Sequence, residues 1–197
     1  MGKPLGILVA FGLALSLAAC GSDEAPERAS GRDGASPTSD TSSFPVTVQG
    51  TNGEISIDDR PVRIVSLSPT ATEDLFAIGA GEQVIAVDDQ SNFPPEAPVT
   101  ELSGFEPNVE AIAGYEPDLV VFATEPGDLG SALETLGVTA LQLDAAPTLE
   151  VAYDQIDQLG LATGHAAEAE ALVDDMRSRV DELVAGADPS AGLSFYY

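Results

Sequence analysis

Four short apolar runs, separated by stretches of helical periodicity, constrain the fold of this chain more than any other feature. They occupy residues 63–67, 83–87, 119–123 and 138–143. Within them Ile64-Val65 and Leu119-Val120-Val121-Phe122 are apolar at successive positions, and so on both faces of a strand. Strands apolar on both faces are covered by helices on both sides, the situation of parallel sheets. The intervening stretches supply those helices. Residues 70–78 open with Thr70-Ala71-Thr72-Glu73, the spacing of a capping box, and stop at Gly79 and Gly81. Residues 108–113 read as a second helix, 129–136 (closed by Gly137) as a third, and 149–161, leading to Gly164, as a fourth. Alternating strand and helix predict an α/β lobe with a parallel sheet over residues 61–164.

The flanks of this lobe have other patterns. Phe44-Pro45-Val46-Thr47-Val48 and Glu54-Ile55-Ser56-Ile57 alternate apolar with polar around Asn52-Gly53, a pair that suits a type I′ turn. A β-hairpin is expected over 46–60. On the other side, 166–185 carries Ala169, Leu172, Val173, Met176, Val180, Leu183 and Val184 at helical spacing. That helix would be about 30 Å long, the width of a small domain. After Asp188-Pro189 the run 193–197 reads as a strand without a partner in its own segment, so residues 188–197 are expected to begin a second, truncated lobe.

The amino terminus has one lysine, Lys3, then an apolar segment ending in Leu17-Ala18-Ala19-Cys20, the layout of a secretory signal. The last four residues resemble the lipobox of bacterial lipoproteins, in which the cysteine is lipidated and becomes the new terminus. Residues 1–19 are then the signal peptide, Cys20 the lipidation site, and 20–45, rich in Ser, Asp, Glu, Pro and Gly, a disordered tether. A short transmembrane anchor over 4–20 and an incidental thiol are the alternatives. The expected location is the outer face of the cytoplasmic membrane, or the periplasm. After cleavage six arginines face 33 acidic residues, a charge of 6 − 33 = −27. Such a surface excludes nucleic acid as a partner. It also leaves acyl chains, not charge, to hold the protein on a membrane.

The string Arg63-Ile64-Val65-Ser66-Leu67-Ser68-Pro69-Thr70-Ala71-Thr72-Glu73, with Phe76-Ala77-Ile78-Gly79, resembles the opening of the substrate-binding proteins of ABC importers for iron-siderophores and vitamin B12. The likeness continues through Val84 to Val87, Phe93-Pro94-Pro95, Asn108-Val109-Glu110-Ala111-Ile112 and Glu116-Pro117-Asp118-Leu119-Val120-Val121. It implies two α/β lobes joined by one long helix, here 165–187, with the ligand held between them. The implied partners are a metal-chelate or corrinoid ligand and the permease and ATPase subunits of an importer, with the binding protein a monomer that needs no cofactor. A non-transport sensing or surface receptor module on the same scaffold is the alternative, and a secreted hydrolase with its catalytic residues elsewhere a third.

Ligands in open α/β sheets bind beyond the carboxyl ends of the strands. The expected contacts are therefore Ser68, Pro69 and Thr70, with backbone N–H groups of 68–72 as donors, and Gln90, Ser91, Phe93, Gly104, Phe105 and Thr124. Simple capping is the competing role for Ser68 and Thr70, and core packing for Phe93 and Phe105. In the B12 branch aromatic residues sandwich the ligand; the positions aligning with them are Gln90, Gly104 and Ala123, none aromatic, and Phe105 is a substitute. Glu110 aligns with a glutamate that docks on permease arginines in the family, and a first-turn carboxylate favouring the helix dipole is its other reading. Between Pro61 and Gly164 the only cation is Arg63, whereas Asp88, Asp89, Glu101, Glu106, Glu125 and Asp128 fall near the strand ends. Anionic chelates are usually met by arginines, so this lobe favours a neutral or cationic ligand.

No catalytic or metal-binding constellation is present in the pattern. The single histidine, His165, stands at a helix start among Ala166, Ala167 and Glu168 and reads as a solvated helix end. Ala77-Ile78-Gly79-Ala80-Gly81 follows a helix instead of a strand, which makes it a helix stop and not a nucleotide loop. A binding protein without chemistry of its own is the expectation.

Overall fold

The computed structural model describes residues 44–124 and 126–187. The signal segment 1–19, Cys20, the tether up to residue 43, Glu125 and the strand expected at 193–197 lie outside the described residues. Strands β3 (Ile64–Leu67), β4 (Val84–Val87), β5 (Leu119–Phe122) and β6 (Thr139–Gln142) form one parallel sheet in the order β4-β3-β5-β6. Helices α1 (Pro69–Ala77), α2 (Val109–Ala113), α3 (Leu129–Thr135), α4 (Leu149–Thr163) and α5 (Ala166–Gly186) follow, with a 3₁₀ turn at Ala80–Gln83.

The double apolar runs do what their pattern requires. Ile64, Leu119, Val121 and Leu141 face a core completed by α1, α4 and the start of α5. Val65, Val120, Phe122 and Ala140 face a second core with Ile112 of α2 and Leu129 and Leu133 of α3. Alternate residues of one strand therefore enter opposite cores. All four residues of β3 and of β5 are buried.

The helix starts depart from the expected capping. α1 is capped by Ser68, whose Oγ accepts from Ala71 N–H at 3.3 Å, and Pro69 takes the first helical position. Proline suits that position because its missing N–H has no intrahelical partner there. Glu73 is thus a second-turn residue, and the Thr70-to-Glu73 capping box does not form. Asn108 and Thr148 cap α2 and α4 as side-chain acceptors.

The hairpin, β1 (Val46–Gly50) and β2 (Gly53–Ile57), forms with a different turn. Gly50 pairs with Gly53, so Thr51 and Asn52 are the central residues, and neither has positive φ. A type I′ turn needs positive φ at both. Gly53 instead opens β2 at φ 108°. The turn then serves as an edge cover. Thr51 N–H donates to Gln142 O at 2.7 Å, Asn52 Nδ2 to Ala140 O at 3.0 Å, and Gln142 N–H to Asn52 Oδ1 at 3.0 Å. These bonds occupy the open edge of β6, which would otherwise pair with another chain. Phe44, assigned by sequence to the tether, packs half-buried against the first core.

At the α4–α5 elbow, His165 is half-buried, contrary to the solvated end expected for it. Its Nδ1 lies 3.2 Å from Thr163 Oγ1 and its Nε2 3.2 Å from Arg60 Nη2. Burial, and secondarily the Arg60 guanidinium, hold its pKa below the usual histidine range. Beyond the elbow α5 begins packed, with Ala169 and Val173 buried, and ends bare, with Leu183 76% and Val184 69% exposed. Its apolar stripe runs past the elements that cover it.

Candidate functional site

The strand order places the site. From β3 the chain first moves outward to β4 and then returns across the sheet to β5 on the other side of β3. Loops at the carboxyl ends of β3 and β5 consequently leave in opposite directions, which opens a crevice between them. Two clefts lie there. One, of about 260 Å³, is lined by Ser68, Pro69, Asp88, Gln90, Gly104, Phe105 and Thr124 among others. The second, of about 420 Å³, is lined by Ser68, Pro69, Thr70, Asp74, Asp144 and Gln155 with small apolar neighbours. Ser68, Pro69 and Ala123 belong to both, so the two form one strip across the strand tips.

The long connection from β4 to α2 supplies half of the first cleft. Its path is held by buried hydroxyls. Ser91 Oγ donates to Asp88 Oδ1 at 2.5 Å, and Thr72 Oγ1 lies 2.8 Å from Ser66 Oγ and 3.1 Å from Ser91 Oγ. Asp89 N–H donates to Leu102 O at 2.7 Å, beside a bridge between Asp88 and Leu102. Gly104 lies so close over the β3 tip that a Cβ there would be 2.7 Å from both Leu67 O and Asp88 Oδ2. Only glycine lets the loop approach this far, and that approach brings Phe105, 72% exposed, to the cleft wall.

Of the residues expected at a ligand, Ser68, Pro69, Gln90, Gly104, Phe105 and Thr124 meet in the first cleft and Thr70 in the second. The Ser68 hydroxyl is occupied as a cap, and the N–H groups of Ala71 and Thr72 are taken by Ser68 Oγ and Ser68 O. The backbone cradle expected over 68–72 is thus largely filled by the chain itself. Ser91 is buried in the hydroxyl network and lines neither cleft. Phe93, 58% exposed, stands in a separate depression of about 670 Å³ with Phe76, Glu73, Glu82 and Glu96. This depression is the larger one, but no strand tip lines it. Glu110 is exposed in the first turn of α2, away from both clefts.

Sequence reasoning missed Asp74 and Gln155. Of the acidic residues expected near the strand ends, Asp88 alone among the described ones lines a cleft. Asp74 had a signal. Ala71, Asp74, Leu75 and Ile78 follow the i, i+3, i+4, i+7 spacing of a buried helix face. Burial, with a smaller contribution from neighbouring Glu73, raises the Asp74 pKa from 3.8 to about 6. Neither cleft has a lysine, arginine or histidine among its described lining residues. Arg63 is at the opposite end of β3, where its Nε donates to Glu116 O at 2.8 Å. Among the described residues no group of three or more His, Cys, Asp or Glu is arranged to hold a metal ion. The strip presents an aromatic wall, amide groups and carboxylate acceptors to the cleft.

Comparison with known proteins agrees with this geometry. The family model for periplasmic binding proteins matches residues 64–190. An ABC transporter substrate-binding lipoprotein of Bacillus subtilis, YvrC, is 33% identical over 93% of this chain and 59% of its own length. A cobalamin-binding protein of Halobacterium salinarum is 34% identical over 79% of this chain and 44% of its own. Among solved structures, a periplasmic heme binding protein from Pseudomonas aeruginosa superposes with a TM-score of 0.58 at 27% identity, covering 64% of this chain and 46% of that one. The chain spans about half the length of the curated relatives it matches.

Proposed function

This chain belongs to the periplasmic binding protein family, whose members bind substrates and do not transform them; on that premise we propose that it is the extracytoplasmic ligand-binding component of an ABC importer. Its ligand is a metal chelate or corrinoid that is neutral or cationic at its periphery. The observation carrying this reading is the lining of the strand-tip strip: Gln90, Phe105, Asp74 and Asp144 with no cationic side chain. An anionic chelate would bring charge to a wall that offers it no guanidinium. Relatives named for cobalamin and heme support the size and flatness of the ligand class. Phe105 supplies the aromatic contact.

In the same reading α5 is the interlobe helix, and the bare Leu183 and Val184 mark where a second lobe would seat. Glu110, exposed on α2, docks on permease arginines, and Cys20 carries the lipid that keeps a monomeric protein at the outer face of the cytoplasmic membrane. Titrating the purified chain with cyanocobalamin, hemin, ferrioxamine B and a ferric tris-catecholate tests the ligand class. Binding of cyanocobalamin or ferrioxamine B that weakens in Phe105→Ala and Gln90→Ala is expected. Tightest binding to the catecholate or to hemin, whose two propionates make its periphery anionic, or binding indifferent to both substitutions, rejects the proposal.

A further inference from the structure

Resting on the strand-tip site just described, we propose that Asp74 selects among ligands by their peripheral groups, accepting from an amide N–H or ammonium and turning away a carboxylate. Asp74 is on the inner face of α1, one helical turn beyond Thr70, and its side chain lines the 420 Å³ cleft. No donor within the described residues answers it. Gln155, the amide in the same cleft, gives one Nε2 hydrogen to Asp144 O at 2.7 Å and makes no bond to Asp74. The charged groups around Asp74 are Glu73 on its own helix and Asp144 in the β6–α4 connection, and no lysine, arginine or histidine lines the cleft. A carboxylate partly shielded from water and without a hydrogen-bond donor is less stable than a solvated one, and an arriving donor relieves that cost through a charge-assisted bond. A ligand carboxylate in the same place would instead meet two carboxylates at once. Burial delays ionisation of Asp74 until about pH 6, so it is charged above pH 7 and neutral near pH 5.

Matched ligands isolate the effect. Cyanocobalamin and the monocarboxylic acid made by hydrolysing one of its peripheral amides differ by a single group, as do ferrioxamine B and its N-succinyl derivative, which ends in a carboxylate where the parent has an ammonium. Each pair is titrated at pH 7.5 against the full chain, Asp74→Asn and Asp74→Ser, with thermal melts to establish that both variants fold. The full chain should prefer the amide or ammonium member of a pair by about tenfold, the scale of one hydrogen bond to a charged group. In Asp74→Asn and Asp74→Ser the preference should fall to unity or below. At pH 5 the full chain should lose most of its preference for the ammonium of ferrioxamine B. Equal binding of both members by the full chain, or a preference retained in both variants, overturns the role of Asp74 while leaving the cleft intact. No binding of either pair at millimolar concentration overturns the cleft reading together with this one.

Discussion

The two ends of the parallel sheet differ in how far the chain satisfies its own polar side chains. At the amino ends of the strands they hold the chain to itself. The Asp118 carboxylate accepts from Val62 N–H at 2.8 Å and Arg63 N–H at 3.0 Å, and the Arg63 guanidinium donates to the carbonyls of Tyr115 and Glu116. Arg60 Nε donates to Thr163 O at 2.9 Å, and Gln83 Nε2 to the carbonyls of Pro61 and Thr163. At the carboxyl ends Gln90 and Thr70 are exposed, and Asp74 has no donor among the described residues. Both ends sit on the same four strands, so the contrast is not one of overall stability. One end is closed by its own bonds; the other, beside its Asp88–Ser91 and Thr72–Ser66 bonds, leaves carboxylates and an aromatic face open to the cleft.

If the tips were open because they are loosely packed, the contrast would mean little. Phe122, the last residue of β5, tests this, because it is 1% exposed directly beneath the crevice. Phe122→Ala should lower unfolding free energy by about 3–5 kcal/mol, the usual cost of emptying a packed aromatic site. A loss below about 1 kcal/mol in urea denaturation would show a soft floor and break the comparison.

Asp74 provides the next largest effect. Its folded pKa is raised, so between about pH 4 and 6 the native state binds more protons than the unfolded chain. Stability attributable to this group is therefore present at low pH and lost as pH rises through 6. The shift from 3.8 to about 6 corresponds to roughly 3 kcal/mol. Asp74→Asn should be more stable than the parent at pH 7.5 by an amount of that order, with the difference vanishing near pH 4. Parallel melts of the two proteins across this range measure it. A parent more stable than Asp74→Asn at pH 7.5 would mean that the carboxylate has a partner and that the open end is not open.

The architecture was legible because its signals are local. Ile64-Val65 and the run from Leu119 to Phe122 announce strands buried on both faces, and glycines 79, 137 and 164 adopt the positive φ that ends helices. The candidate site was legible from the pattern where loop residues closely follow strands, as Ser68, Gln90 and Thr124 do; Phe105, far along the β4–α2 connection, came from the resemblance alone. Ser91 and Phe93 looked equivalent to them in sequence, but loop closure by the Asp88–Ser91 bond turns one inward, while the other is carried onto the α1 face. Asp74 was hidden by its neighbour: beside Glu73 it reads as one of two surface charges, although its helix phase matches Leu75 and Ile78. The hairpin turn was misplaced by a residue because Asn52-Gly53 is a strong local signal. Pairing of Asn52 with the β6 edge outweighs it.

Gln83 sharpens the closed end at smaller scale. Gln83→Ala removes the donor to two carbonyls but also removes Oε1, which is buried without a partner. The two effects oppose, so a loss of about 1 kcal/mol is expected, with ligand affinity unchanged. A change in affinity without a change in stability would place a functional group at the wrong end of the sheet.

The smallest expected change in stability is at Phe105, where the comparison is most exposed to contradiction. This side chain is 72% exposed and touches the cleft instead of a core. Phe105→Trp should therefore alter unfolding free energy by less than about 0.5 kcal/mol, as surface substitutions usually do. The chain has no tryptophan, so the new indole becomes the only one and reports on the crevice alone. A larger aromatic face against a flat corrinoid should tighten binding a few-fold while its emission is quenched on titration. Quenching by cyanocobalamin that saturates is the expected result. Unchanged emission alongside binding detected by calorimetry would put the ligand elsewhere, and the depression around Phe93 would then be the region to probe.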